Sequence, residues 1–223
     1  MTQLAVPLHQ QDLDQFCGPA TAQMILGPII NQLVGQGELH ATILKSKSPA
    51  DKCQLITSPM QLADALNATQ QSHGGPVRPF QAYYFEKQKD GANATAVILQ
   101  TLRQGIAAAA LVQCGGHWVV VTGATTPSDD SDGLQPDALF VNNPWPPVPN
   151  SLPAPPPHVD LTDGCGGGGV RGQAEQIPID AWYQDPNFTP VTMCPEGSPL
   201  QPPLYIVVGA AGLCAAVLPV GVP

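Results

Sequence analysis

Apolar positions recur with helical spacing through the first half of the chain and switch to short continuous runs in the second. Ala22, Ile25, Ile29 and Leu33 form one stripe, which predicts a helix over 18–34. Pro19 suits its first turn, whereas Pro28 is expected to kink or end it. Ser58-Pro59 reads as the cap and first turn of a second helix, with Met60, Ala63 and Leu66 on one face. A third is expected from about Asn93 to Gln104, stopping at Gly105. After Gly105 the apolar runs shorten to Ile106–Val112, His117–Thr122, Ala138–Asn142 and Leu204–Val208, each bounded by Gly, Pro or Asp. They read as strands of a mostly antiparallel sheet. Ile179–Tyr183 is expected to form a short helix.

Helices first and strands afterwards predict an α+β fold with two layers or lobes. The expected organisation is one domain over 1–223. A helical lobe spans about 8–105, and a β lobe spans about 106–210. The β lobe carries a Pro/Gly-rich loop, 144–172, and 211–223 forms an apolar tail. That loop holds eight prolines and the run Gly164-Cys165-Gly166-Gly167-Gly168-Gly169. The segment from Leu204 to Pro223 has no charged residue, but Gly209, Gly212, Pro219, Gly221 and Pro223 argue against a membrane helix. A core strand followed by an apolar tail is expected, with no membrane span.

Composition narrows the function. Of 223 residues 43% are hydrophobic, enough for a sizeable core, and only 11% are charged. The net charge of −9, with 8 Lys and Arg in all, leaves no basic surface for phosphates, so nucleic acid is not an expected partner. The N-terminus lacks the basic start and apolar stretch of a Sec signal, which leaves a cytoplasmic place or a non-Sec export route. Six cysteines, at 17, 53, 114, 165, 194 and 214, are too scattered for a small disulfide scaffold, although a bridge such as Cys165–Cys194 stays open. No second Cys or His pair lies near Cys114 and His117, so neither a metal nor a cofactor is expected. Asn67, Asn93 and Asn187 head chance matches to the glycosylation sequon.

The chemistry lies in three places. Cys17 opens the first helix, where unpaired N–H groups favour a thiolate. His117 starts a strand behind Gly115-Gly116 and is suited to take the thiol proton. Asn143 follows the strand 138–142, and its side-chain oxygen can fix the imidazole tautomer. Asn142 is the alternative, one residue away. The Cys17 N–H and the side-chain amide of Gln11, six residues upstream, are candidate donors to an oxyanion. Trp118 is expected to shield the His–Asn pair, to pack in the core, or both; Trp145 is a candidate cleft wall, and Trp182 is read as a structural anchor ahead of a second cleft wall.

Together, Gln11, Cys17-Gly18-Pro19-Ala20, Gly116-His117-Trp118-Val119-Val120 and Val141-Asn142-Asn143-Pro144 resemble the papain-like cysteine peptidase superfamily. The closest branch holds the bacterial bacteriocin-leader peptidase domains and papain-like effector proteases. The resemblance implies catalytic roles for Cys17, His117 and Asn143 and an oxyanion role for Gln11. It also implies a nucleophile helix packed on an antiparallel sheet or half-barrel. One position departs from that branch, which commonly has Asp where Asn143 stands. The expected function is hydrolysis of a peptide bond through an acyl-thioester, with a protein or peptide as substrate. A secreted effector or toxin is the expected setting; a toxin would imply an immunity or inhibitor protein as partner. The alternatives are a thiol acyltransferase or deamidase, or an inactive binding module, on the same fold.

Overall fold

The computed structural model describes residues 2–13, 15–46, 57–86, 91–125, 135–145, 173–184, 188, 190–193 and 199–213. Most of the Pro/Gly-rich loop, the end of the apolar tail, Cys53, Cys165, Cys194, Cys214 and Asn187 lie outside these residues.

The first helix, α1 (Cys17–Ile30), is buried continuously from Gly18 to Leu26. Pro28 lies in its last turn, and the helix ends just beyond, at Asn31 with φ 52°. An Asn in the left-handed region is a usual helix terminator. The helix α2 (Gln36–Lys45) presents only Leu39 and Ile43 as buried apolar side chains, a pattern too sparse to read in advance. The helix α3 (Pro59–Ser72) opens with a capping box. Ser58 Oγ accepts from the Gln61 N–H at 3.2 Å, and Gln61 Oε1 accepts from the Ser58 N–H at 3.1 Å. The helices α4 (Gly91–Arg103) and α5 (Ile179–Trp182) follow the expected positions.

The strands are β1 (Thr2–Gln3), β2 (Phe80–Phe85), β3 (Ala108–Val112), β4 (His117–Thr125), β5 (Ala138–Asn142), β6 (Glu175–Pro178), β7 (Val191–Met193) and β8 (Pro199–Ala210). They form an open antiparallel sheet in the order β2-β8-β3-β4-β5-β6, with β1 paired to β4 and β7 to β8. The stretch expected to be helical thus contains β2, which forms one end of this order. Side-chain amides of α3 lead it in. Asn67 donates to the Phe80 carbonyl at 3.0 Å and accepts its N–H at 2.8 Å, and Gln70 makes the same pair of bonds to Arg78. Asn67 is therefore committed to the fold rather than presented as a sequon.

The expected two layers are three. On one face Ala109, Leu111, Trp118, Val120, Ile206 and Val208 pack under α1, α2 and α3. On the other, Ala108, Ala110, Val112, Val119, Val121 and Val207 pack under α4 and Trp182 of α5. Successive strand residues point to opposite faces, so a run such as Ala108–Val112 that is apolar throughout must be covered on both. Among the described residues, no helix is long and apolar enough to cross a membrane.

Candidate active site

The nucleophile candidate stands where α1 meets β4. Phe16, at the N-cap, supplies no side-chain cap. The first-turn N–H groups of α1 are therefore left to the half-buried free thiol of Cys17. Burial pushes this thiol up from its ordinary pKa, and the backbone N–H groups of Trp118, Gly18 and Cys17 itself pull it back down. The Trp118 N–H belongs to the residue after His117, so the packing of α1 on β4 carries Cys17 to the start of that strand. Gly18 lets α1 lie close against Thr57, just ahead of α3. A Cβ there would stand 2.3 Å from Thr57 Oγ1 and 2.5 Å from Thr57 Cβ, inside any real contact. The Thr57 carbonyl in turn accepts the Trp118 indole N–H at 2.9 Å.

The histidine is delivered by a one-turn 3₁₀ segment, Gln113–Gly115, between β3 and β4. Gly115 has φ 97°, a backbone state that disfavours any side chain, and a Cβ there would lie 2.9 Å from Val191 Cγ1. The buried His117 Nε2 is 2.7 Å from Asn143 Oδ1. That oxygen also accepts the Trp145 N–H at 2.9 Å. A backbone N–H requires an acceptor, so the Asn143 atom between the two must be the oxygen, and Nε2 must carry the ring hydrogen. The neutral ring then has its basic lone pair on Nδ1. Trp145 lies edge-on to the imidazole, centroids 6.0 Å apart at 85°. Trp118 does not take that place: its ring lies in the core under α1–α3. Trp182 is fully buried in the opposite core, stacked on Phe188.

The two asparagines divide their work. Asn142 donates to the Val6 carbonyl at 3.0 Å and accepts the Ala174 N–H at 2.7 Å, which ties the N-terminal segment and the approach to β6 onto the end of β5. Asn143 alone of the pair bonds the histidine. Gln11 is buried beside them. Its N–H donates to the Pro144 carbonyl at 2.8 Å, and its Nε2 donates at 3.0 Å to the Leu13 carbonyl. That carbonyl also accepts the Phe16 N–H at 2.9 Å. Gln11 therefore bridges the turn leading into Cys17 and the residue that follows Asn143. The structure draws Cys17, His117, Asn143 and Gln11 to one locality from α1, β4, the end of β5 and the N-terminal segment. Among the described residues no group of three or more His, Cys, Asp or Glu is arranged to hold a metal.

Burial lowers the His117 pKa, and the Asn143 hydrogen bond opposes that shift. A group lowered on folding adds stability that is present above its unfolded pKa of about 6.5 and lost as the pH falls through its folded value. Wild type is therefore expected to lose more Tm between pH 7 and pH 5 than His117→Gln, which has no proton to gain. Calorimetry across that range checks it, and parallel Tm curves would contradict the buried neutral imidazole.

An α+β fold with an unpaired cysteine at a helix start, a nearby buried histidine and an amide behind it has the architecture of a papain-like thiol hydrolase. The sequence model of the Peptidase_C39 like family matches residues 3–151, and the chain belongs to that family. It is a papain-like cysteine peptidase by that membership. Among solved structures, one similar chain is the crystal structure of a double glycine motif protease from an AMS/PCAT transporter in complex with the leader peptide. The identity is 10%, with 94% of this chain and 94% of that chain covered, at a TM-score of 0.43. The comparison with curated proteins finds no match.

Proposed function

We propose that this chain hydrolyses a peptide bond with Cys17 as nucleophile, His117 as general base and acid, Asn143 as the residue that orients the imidazole, and Gln11 as an oxyanion donor. The observation that carries this reading is the buried His117–Asn143 pair, whose hydrogen bonding leaves Nδ1 as the base, at the strand start beside Cys17. Nδ1 takes the proton from the Cys17 thiol, and the thiolate attacks the peptide carbonyl. The resulting oxyanion accepts from the Cys17 N–H and from Gln11 Nε2–H, a donor type whose loss costs roughly 3–4 kcal/mol of barrier. The imidazolium returns its proton to the departing nitrogen as the C–N bond breaks, leaving an acyl-thioester on Cys17. His117 then takes a proton from water as the oxygen attacks the thioester; the C–S bond breaks, the acid leaves, and the imidazolium returns its proton to the sulfur.

Burial raises Cys17 and lowers His117, so the resting pair is biased toward neutral thiol and neutral imidazole. Both shifts work against the ion pair, and the N–H groups around the sulfur offset only part of the cost.

The test is a peptidyl epoxide, which traps activated thiols. A single adduct on Cys17, mapped by mass spectrometry and formed at least about tenfold faster than on free cysteine, is the expected result. An adduct on another of the cysteines, or a Cys17 no faster than free cysteine, overturns the assignment.

A further inference from the structure

The segment carrying Gln11 is held by a second glutamine. Gln36, the first residue of α2, is buried and places both ends of its amide on the backbone flanking Gln11. Its Nε2 donates to the Gln10 carbonyl at 2.6 Å, and its Oε1 accepts the Asp12 N–H at 2.9 Å. The two backbone partners, one acceptor and one donor, fix which end of the amide is which. The pattern is the one a neighbouring strand would offer to residues 10 and 12. Gln36 is itself oriented: its Nε2 also donates to Gln23 Oε1 at 3.1 Å, and Gln23 Nε2 donates to the Val34 carbonyl at 2.6 Å. Gln23 lies on α1, the helix that Cys17 opens. A continuous chain of buried amides therefore links the nucleophile helix to the backbone on both sides of Gln11, while the Gln11 N–H is held from another direction by Pro144.

We infer that Gln36 is a positioning residue for the oxyanion donor Gln11, with Gln23 setting the orientation of Gln36. The inference rests on the proposed role of Gln11. With residues 10 and 12 clamped, Gln11 turns its amide from the Leu13 carbonyl to an incoming oxyanion by side-chain rotation alone, and its Cα stays fixed relative to Cys17. A donor must lie about 2.7–3.1 Å from the oxyanion, so a displacement near 1 Å removes most of its value. A buried glutamine with no role beyond folding would show the same hydrogen bonds, so the test must read something that folding alone leaves unchanged.

Two reactions of the same sulfur separate these cases. Acylation by p-nitrophenyl acetate joins the thiolate to the acetyl carbon, passes through an oxyanion and expels p-nitrophenolate. Alkylation by iodoacetamide displaces iodide at a saturated carbon and forms no oxyanion. Both are followed at Cys17 by peptide mass spectrometry. Gln36→Met is expected to slow acylation by about tenfold or more and to leave alkylation within about twofold. In a Gln11→Ala background the same change is expected to add less than about twofold, because the residue it positions is gone. Gln23→Met keeps both Gln36 backbone bonds and is expected to shift the ratio in the same direction by less, which keeps the test alive if Gln36→Met does not fold. Equal slowing of both reactions, or the same factor with and without Gln11, overturns the positioning role. A wild type that is alkylated at Cys17 but never acylated overturns the oxyanion reading and the clamp with it. Normal wild-type acylation with an unchanged ratio in Gln36→Met overturns the clamp alone.

Discussion

Cys17→Ala is expected to reduce peptide hydrolysis by roughly 10⁴- to 10⁶-fold, the range in which loss of a covalent nucleophile leaves only binding and oxyanion stabilisation. The fold has little reason to suffer. Cys17 is only half-buried and sits in the first turn of α1, where alanine is a good helix former. The thiol engages backbone N–H groups whose loss of a weak sulfur acceptor costs little. Tm is therefore expected to stay within about 4 °C of wild type, equivalent to roughly 1 kcal/mol for a chain of this size. A peptide mixture that wild type cuts, followed by mass spectrometry beside a thermal melt, measures both quantities. Residual hydrolysis above about 1% of wild type with an intact melt sinks the nucleophile assignment, since that much activity requires a second route through the chemistry.

The residues of the candidate site stand out in the sequence more clearly than the scaffold that holds them. Cys17-Gly18-Pro19 can be read locally, because a cysteine before a proline suited to a first turn announces a helix start. His117 was marked by the glycines ahead of it, and Gly115 does take the positive φ that such a hinge provides. Asn143 follows β5 directly, and the apolar run 138–142 marks that strand without ambiguity. None of these signals needed a tertiary contact. The choice between Asn142 and Asn143 did. It turns on which amide meets the imidazole, and the answer came from bonds to Val6, Ala174 and Trp145 far away in sequence or beyond the strand end.

The elements that were missed lack periodicity for physical reasons. Along Phe80–Phe85 only the two end residues are buried, so β2 shows no alternation, and its entry is fixed by Asn67 and Gln70 rather than by its own residues. The helix α2 buries few apolar side chains because part of its contact with the rest of the chain is made by Gln36, an amide that composition treats as surface. Trp118 and Trp145 could not be told apart in one dimension. Neighbouring strand residues face opposite ways, so the ring beside His117 in sequence is turned from it, and the ring that meets it arrives from beyond β5. The third layer was implicit in Ala108–Val112, a run apolar at every position, which a sheet covered on one face only would not need.

His117→Ala carries the second large effect, and its pH dependence separates a base from a packing residue. Hydrolysis is expected to fall by roughly 10³-fold or more, and Cys17→Ala/His117→Ala to be no worse than Cys17→Ala, because the two act as one unit. Removing the ring leaves the Trp145 N–H still bonded to Asn143 Oδ1, so the amide keeps a partner and the local backbone its anchor. What disappears, on the proposed mechanism, is the acceptor for the thiol proton. Cys17 must then ionise to solvent with a pKa raised by burial above its ordinary 9.0. Iodoacetamide alkylation of Cys17 in His117→Ala is therefore expected to be slow at pH 7 and to climb as the pH rises through and above 9. On the proposed mechanism Nδ1 takes the proton as the sulfur attacks, so wild type is expected to react at neutral pH with a much flatter profile. Stopped alkylation at a series of pH values, quantified on the peptide containing Cys17, gives the comparison. Superimposable profiles for wild type and His117→Ala would remove His117 from the chemistry and leave it a buried ring beside a reactive thiol.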